Sequence, residues 1–408
     1  MTGRRLATDA RAGVTLAGRI KVAAHRLGFD RVGIAPAEPP EHLRAYERWI
    51  EAGAHGEMEY MARHGELRAD PGKLLPGARS AVMVAMNYRP VEADAAGRRR
   101  EGATGAAAAR GEGAAPIAAD GSGVVARYAR GRDYHDLMRE RLRSLLDAVR
   151  REAGPGVRGR VFVDTAPVLE RDLAARAGIG WIAKNTCLID PRLGSYTFLG
   201  GLLLDIALEP DLPQPDRCGT CTRCMDACPT GAFIEPRFLD ARRCLSYHTI
   251  ELRGPFPPEH RDAAGDLVFG CDICQEVCPY NRAAPATPEP GFEPDAGERA
   301  RLDLIEILSL DEDAFRRRFA RTALTRARRR GLARNAAVAL GNARAAGAAP
   351  ALARALRDDP EAVVRAHAAW ALGKIGGEEA RRALQAAAAA EADADVRAEI
   401  DAALGAVH

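Results

Sequence analysis

Eight cysteines supply the most specific chemistry in this chain. Cys218-x2-Cys221-x2-Cys224-x3-Cys228-Pro229 is followed by Cys244 and then by Cys271-x2-Cys274-x3-Cys278-Pro279. The first run has the bacterial iron-sulfur spacing, in which three close thiolates hold one 4Fe-4S cluster and the fourth, before proline, reaches a second. The second run is the same motif with its first cysteine displaced to position 244. Under that exchange one cluster takes Cys218, Cys221, Cys224 and Cys278, and the other takes Cys228, Cys244, Cys271 and Cys274. The competing readings are a disulfide framework and a pair of structural zinc sites, since Zn2+ also takes four cysteines. The repeated Cys-Pro ending favours iron-sulfur, and two clusters make an electron conduit that needs an acceptor. Cys187 falls outside the spacing and reads as a buried small residue.

Asp164 is the candidate acid. Arg160-Val161-Phe162-Val163 predicts a strand whose carboxyl end leads into Asp164-Thr165-Ala166-Pro167. Ligands gather beyond the carboxyl ends of strands, so a carboxylate there is placed for catalysis. The same stretch also suits a cap: Asp164 or Thr165 would open a helix over 168–177, with Pro167 in its first turn.

A third feature is electrostatic. Between Ala314 and Arg334 lie nine arginines and no acidic residue, although the 408-residue chain carries a net charge of only +3. Such density fits a phosphate-binding surface, and equally a solvated helix face. The tract leads into a repeat: RNAAVALG, RAHAAWALG and RAEIDAALG place Gly341, Gly373 and Gly405 at a period of 32. That period, with alanine- and leucine-rich helices between, predicts a HEAT-like α-solenoid.

The elements that must position these groups follow from periodicity. Helices are expected over 14–27 and 41–52, strands over 31–35 and 80–86, and an amphipathic helix up to about Arg151. Together they predict an α+β chain whose first domain is an α/β sandwich. The apolar stretches that follow Asn185, through Leu208, predict a β-hairpin closing that domain, with Gly194 and Gly200-Gly201 as bends or points of close approach. Arg237 to Glu251 is expected as a helix carrying Cys244, and Leu302 to Phe319 as another. Residues 91–123 are mostly Ala, Gly, Arg and Glu without apolar period, and read as a low-complexity insertion. The resulting division is 1–211 for the first domain, 212–284 for a ferredoxin-like module and 285–408 for basic helices and repeats. No stretch is apolar enough to span a membrane, and no export signal is evident, so a cytoplasmic monomer is expected.

The order of parts, with RYARGRDYHD (127–136), VDTAPVLERDLAARAGIGW (163–181), KNTCLI (184–189), the eight cysteines and RNAAVALG, resembles the epoxyqueuosine reductases. The resemblance covers nearly the whole chain outside 91–123. It implies base-off cobalamin in the first domain, a tRNA anticodon stem-loop carrying epoxyqueuosine as substrate, and an external low-potential electron donor. It implies Asp164 as proton donor, and cobalamin contacts from Arg68, Arg127, Asp164 and the backbone around Lys184, Asn185 and Leu188. Arg171 would lie near the active site and tRNA, with Arg326, Arg328, Arg329, Arg330 and Arg334 on the stem phosphates. Burial against an apolar corrin face would raise the pKa of Asp164. A cobalamin-dependent reductive dehalogenase and a non-catalytic ferredoxin-like electron carrier are the alternatives.

Overall fold

A computed structural model describes residues 15–91, 121–293 and 299–406. Most of the low-complexity stretch lies outside the described residues. Its last residues do not behave as an insertion, since Ser122–Val125 is a strand.

The first domain is built on Ser80–Asn87, whose every residue is buried. Its unbroken apolar run has two covered faces to fill, which explains why it does not alternate with polar residues. Successive side chains point to opposite faces. Val82, Val84 and Met86 pack with Ile20, Ala24, Met138 and Leu145, from the helices Leu16–Arg26 and Tyr134–Ala153. Ala81, Met83 and Ala85 pack with Leu173 and Ala174 of the helix Glu170–Arg176. The sandwich expected from sequence is therefore present.

Strand order across the sheet is Arg31–Pro36, Ser80–Asn87, Thr197–Leu204, Gly159–Phe162, with every neighbouring pair antiparallel. Thr197–Leu204 is thus a central strand and not a hairpin arm; only the two-residue strands Trp181–Ile182 and Leu188–Ile189 form the hairpin. Gly200 and Gly201 serve packing inside the domain. A Cβ on Gly201 would stand 2.7 Å from the Phe162 ring, and one on Gly200 3.1 Å from Leu142.

A second, three-stranded sheet joins distant parts of the chain. Ser122–Val125 pairs in parallel with Leu267–Phe269, from the cysteine-rich region, and antiparallel with Arg301–Asp303. Two expected helices break accordingly. Residues 301–319 form that strand and the helices Leu304–Ser309 and Glu312–Arg318. Residues 237–251 form a short strand, a 3-10 turn and the helix Leu245–Ile250, with Cys244 at the N-cap.

The C-terminal region is the expected solenoid, with helices Arg328–Ala343, Ala349–Asp358, Ala362–Ile375, Gly377–Ala390 and Ala394–Ala406. The glycine period now has a cause. A Cβ on Gly341 would lie 2.6 Å from the Trp370 ring, and one on Gly373 2.9 Å from Ala403, so these two glycines let the next helix approach, while Gly405 has nothing within 4 Å. The solenoid is fastened to the cysteine-rich region by the Arg-Asn pair of RNAAVALG. Arg334 donates to the carbonyls of His248, Leu252 and Gly254, and Asn335 to those of Thr249 and Val268.

Candidate active site

Asp164 stands two residues beyond the strand Gly159–Phe162, with its backbone in the left-handed region at φ 49°. A non-glycine residue there costs about 1–3 kcal/mol and persists only where its surroundings impose it. Glu170 supplies part of that constraint: its Oε1 accepts the Asp164 N–H at 2.5 Å. The helix starts only at Glu170, with Leu169 as N-cap and no side-chain cap. The capping reading of Asp164 and Thr165 is therefore overturned, and the Asp164 side chain, 57% exposed, is available to a ligand.

RYARGRDYHD delivers its partners. Asp133 caps the helix Tyr134–Ala153 by accepting the His135 N–H, and the same Oδ1 lies 2.7 Å from His135 Nδ1. His135 Nε2 lies 3.1 Å from Asp164 Oδ2. The imidazole is held flat by Tyr134, whose ring stacks on it at 4.1 Å and on Phe198 at 4.0 Å. Desolvation would lower the His135 pKa, but hydrogen bonds from Asp133 and Asp164 outweigh it and raise it to about 9. Desolvation would raise Asp164, yet the His135 bond and charge hold it below the usual carboxylate range. Within the protein alone His135 therefore sets the direction, whereas the rise expected from sequence belongs to burial against a corrin face. Glu170 goes the other way: burial, then the Asp164 charge, push it up to about 8.

The loop 184–188 links this region to the cysteines, with Thr186 in the left-handed region at φ 65°. Lys184 Nζ donates to the carbonyls of Gly219 at 2.7 Å and Cys221 at 3.0 Å. Asn185 donates to the Cys274 carbonyl at 3.3 Å, and Arg171 to the Thr186 carbonyl. The Leu188 side chain is buried in the first domain's core, so only its backbone could face a ligand. The Cys187 N–H donates to Asn185 Oδ1 at 3.3 Å, and its thiol lies near that of Cys274.

All nine cysteines are free. Around Cys224 stand the thiols of Cys278, Cys218 and Cys221; with burial, which acts most strongly, they push its pKa up to about 11. Burial raises Cys271 well above the ordinary thiol range, with Cys244 and Cys228 adding to it, and Cys274 interacts with Cys271 and Cys244. The thiols thus lie near one another in the pattern expected from their spacing, with Cys187 beside Cys274, Cys244 and Cys278 as well. Among the described residues no three His, Cys, Asp or Glu side chains converge on one metal ion. A multi-iron cluster, with thiolates at its corners, fits these wider sets. The Ala232 N–H donates to Cys228 Sγ at 3.3 Å, and the buried Trp181, whose Nε1 has no hydrogen-bond partner, packs with Cys278 and Cys218. Donors aimed at sulfur suit such a cluster. For a corrin the corresponding observation is Arg68, only 6% exposed, whose Nη1 has no hydrogen-bond partner. A buried unpaired guanidinium donor fits the amide or phosphate groups at a corrin's rim.

Residues 68–165 match the family described as "Epoxyqueuosine reductase QueG, DUF1730", residues 217–281 a 4Fe-4S double cluster binding domain, and residues 318–405 HEAT repeats. The epoxyqueuosine reductase of Xanthomonas campestris pv. campestris is 43% identical over 366 residues, 88% of this chain and 96% of that protein. The chain belongs to the epoxyqueuosine reductase family. A selenomethionine-labelled epoxyqueuosine reductase superposes with a TM-score of 0.84 at 32% identity, covering 95% of this chain and 98% of its own. Another, in complex with an epoxyqueuosine-modified tRNA-Tyr stem loop, gives 0.82 at 32% identity, covering 95% and 97%.

In this epoxyqueuosine reductase family member the remaining arginines divide by burial. Arg326 and Arg328 are exposed and Arg330 is half-buried. Arg326 donates to Glu251, lies over the Tyr60 ring, and its charge reaches Asp164. Arg329 and Arg334 are corrections. Arg329 is spent on a buried two-point pair with Asp359, and Arg334, 1% exposed, holds main-chain carbonyls. Neither guanidinium can reach a phosphate. Arg127, buried, pairs with Asp272 and Glu276 of the cysteine-rich region, so its guanidinium joins the two regions. His135, Asp133 and Glu170 were missed by sequence reasoning. The signal available was Asp-Tyr-His inside RYARGRDYHD, but nothing in spacing pointed it at a residue 29 positions away.

Proposed function

We propose that this chain reduces epoxyqueuosine to queuosine in the anticodon loop of tRNA, with base-off cobalamin as the reacting cofactor and two 4Fe-4S clusters as its electron supply. The observation that carries this reading is the loop 184–188. Lys184 ties it to the first cysteine run and Asn185 to the second, while Arg171 ties it to the helix that follows Asp164.

The overall change consumes two electrons and two protons, breaks both epoxide C–O bonds, forms a carbon-carbon double bond and releases water. Cys218, Cys221, Cys224 and Cys278 would hold one cluster and Cys228, Cys244, Cys271 and Cys274 the other, and these clusters would supply single electrons drawn from an external low-potential donor. Reduced cobalamin, when bound, supplies a nucleophilic and strongly reducing centre that side chains lack. Arg68 holds the corrin rim, with Arg127 and the backbone of Lys184, Asn185 and Leu188 beside it. Asp164 delivers a proton to the oxygen leaving carbon. Arg326, Arg328 and Arg330 hold stem phosphates, Arg171 lies near the loop, and the wobble base is splayed from a single-stranded loop into the site. The protein acts as a cytoplasmic monomer. Its three working regions are 1–211, 212–284 and 285–408.

The test is anaerobic reconstitution with cobalamin and a chemical reductant, followed by nucleoside analysis of epoxyqueuosine-containing tRNA. Queuosine should appear, and Asp164→Ala should abolish it while clusters and bound cobalamin remain. Full cofactor loading without any queuosine would sink the reading.

A further inference from the structure

His135 is bonded on both sides to carboxylates, and only one of the two contacts is local. Asp133 is its helix cap, two residues away. Asp164 comes from another element and meets Nε2 at 3.1 Å. Tyr134, clamped between the imidazole and Phe198 of the central sheet, fixes the ring plane. The arrangement is carboxylate, imidazole, carboxylate, with the outer carboxylate exposed and the inner one at a helix start. A ring needed only to brace the loop would not require a second acid behind it.

We propose that His135 is the proton store for Asp164: its Nε2 proton passes to Asp164 Oδ2 as Asp164 delivers a proton to the oxygen leaving the substrate. In each protonation the His135 N–H bond breaks as an Asp164 O–H bond forms. That O–H then breaks as the oxygen, keeping the C–O electron pair, gains its proton. The electrons come from the low-potential donor already named, and His135 is recharged from solvent. His135 acts through Asp164 and is a positioning residue for the transfer. This rests on the reductase reading above.

The ionisation states agree with the geometry. His135 is raised to about 9 and Asp164 is lowered, so at neutral pH the pair's single proton sits on the imidazole. The groups facing the pair are Asp133, Tyr134 and Arg139 on or beside its own helix, Glu170 across the Asp164 loop, Tyr128, and Arg326 from the C-terminal region. As pH rises through the folded His135 pKa the store empties, so turnover should fall on the alkaline side.

Two measurements test this on the cluster-loaded protein. First, histidine-labelled protein, with His135 assigned through His135→Gln, is titrated by NMR with and without Asp164→Asn. An imidazole titrating near 9 should move toward 6.5 in Asp164→Asn. Second, the pH profile of turnover is compared with Asp133→Asn, whose alkaline limb should move down by about a unit or more. His135→Gln should lose about 100-fold in turnover with cluster content and tRNA affinity unchanged. An Asp133→Asn limb at the wild-type pH, or His135→Gln turning over normally, overturns the proposal. If the wild-type protein makes no queuosine the reductase reading fails, and the NMR titration still decides whether His135 and Asp164 share a proton.

Discussion

Lys184 Nζ and the Cys221 carbonyl lie 3.0 Å apart, a bond that crosses from the first domain into the first cysteine run. With the companion bond to Gly219, one ammonium organises the backbone between Cys218 and Cys221, two of the cysteines proposed as ligands. Lys184→Met should replace these two bonds with bonds to water, at a cost of about 0.5–1.5 kcal/mol. Iron-sulfur absorbance followed during chelation should decay in two phases, with one several-fold faster than in the wild type. Two phases at wild-type rates would show that the lysine has no part in holding the loop.

The position of Cys244 makes a separate prediction. It sits at the N-cap of Leu245–Ile250, with the thiols of Cys228, Cys271 and Cys274, and also Cys187, near it. Cys244→Ala should therefore retain about half the iron, because only one four-cysteine set is broken. Iron and sulfide analysis of anaerobically purified protein decides it: full iron content refutes the division of ligands.

The arginines should separate stability from RNA binding. Arg329→Ala strands Asp359 as a buried, unpaired carboxylate and should destabilise by about 3–5 kcal/mol, read as a lowered unfolding midpoint. Arg326→Gln should leave that midpoint near the wild type and reduce the salt slope of tRNA affinity by about one. Equal effects of the two substitutions on both measurements would contradict the division by burial.

His367 sets a pH limit on the junction between solenoid and cysteine-rich region. Its Nε2 accepts the Phe256 N–H at 3.0 Å and its Nδ1–H donates to the Val363 carbonyl at 2.6 Å, so the ring must be neutral. Burial, then the charges of Arg261 and Arg334, push its pKa from 6.5 down to about 3. The folded value lies below the unfolded one, so this contribution is complete above pH 6.5 and is lost as pH falls toward 3. By pH 5 about 2 kcal/mol is gone. Anaerobic denaturant unfolding near neutral pH and at pH 5 should show that increment in the wild type and not in His367→Gln. The same pH dependence in both proteins would exclude His367 as its source.

What was legible in the sequence was local or periodic. Cysteine spacing pointed to a double 4Fe-4S domain, and glycines at a period of 32 to the solenoid, because each signal sits within one stretch. The central strand Thr197–Leu204 was not legible, since its glycines look like bends until Phe162 and Leu142 are seen packing on them. Charge density could not tell Arg326 from Arg334, because composition carries no depth. Asp164 could be placed at its strand end from sequence, but its contact with His135 could not, because that imidazole comes from another helix.

The sheet made by Ser122–Val125, Leu267–Phe269 and Arg301–Asp303 constrains the order of events at the ribosome. The earliest of these strands must wait until the last has emerged, roughly ten to thirty-five seconds later at ordinary elongation rates. Every cysteine is translated inside that interval. Iron-sulfur assembly factors would therefore meet eight accessible thiols before the sheet can close over their surroundings, and a ribosome-bound chain stopped before Arg301 should accept iron more readily than the finished protein.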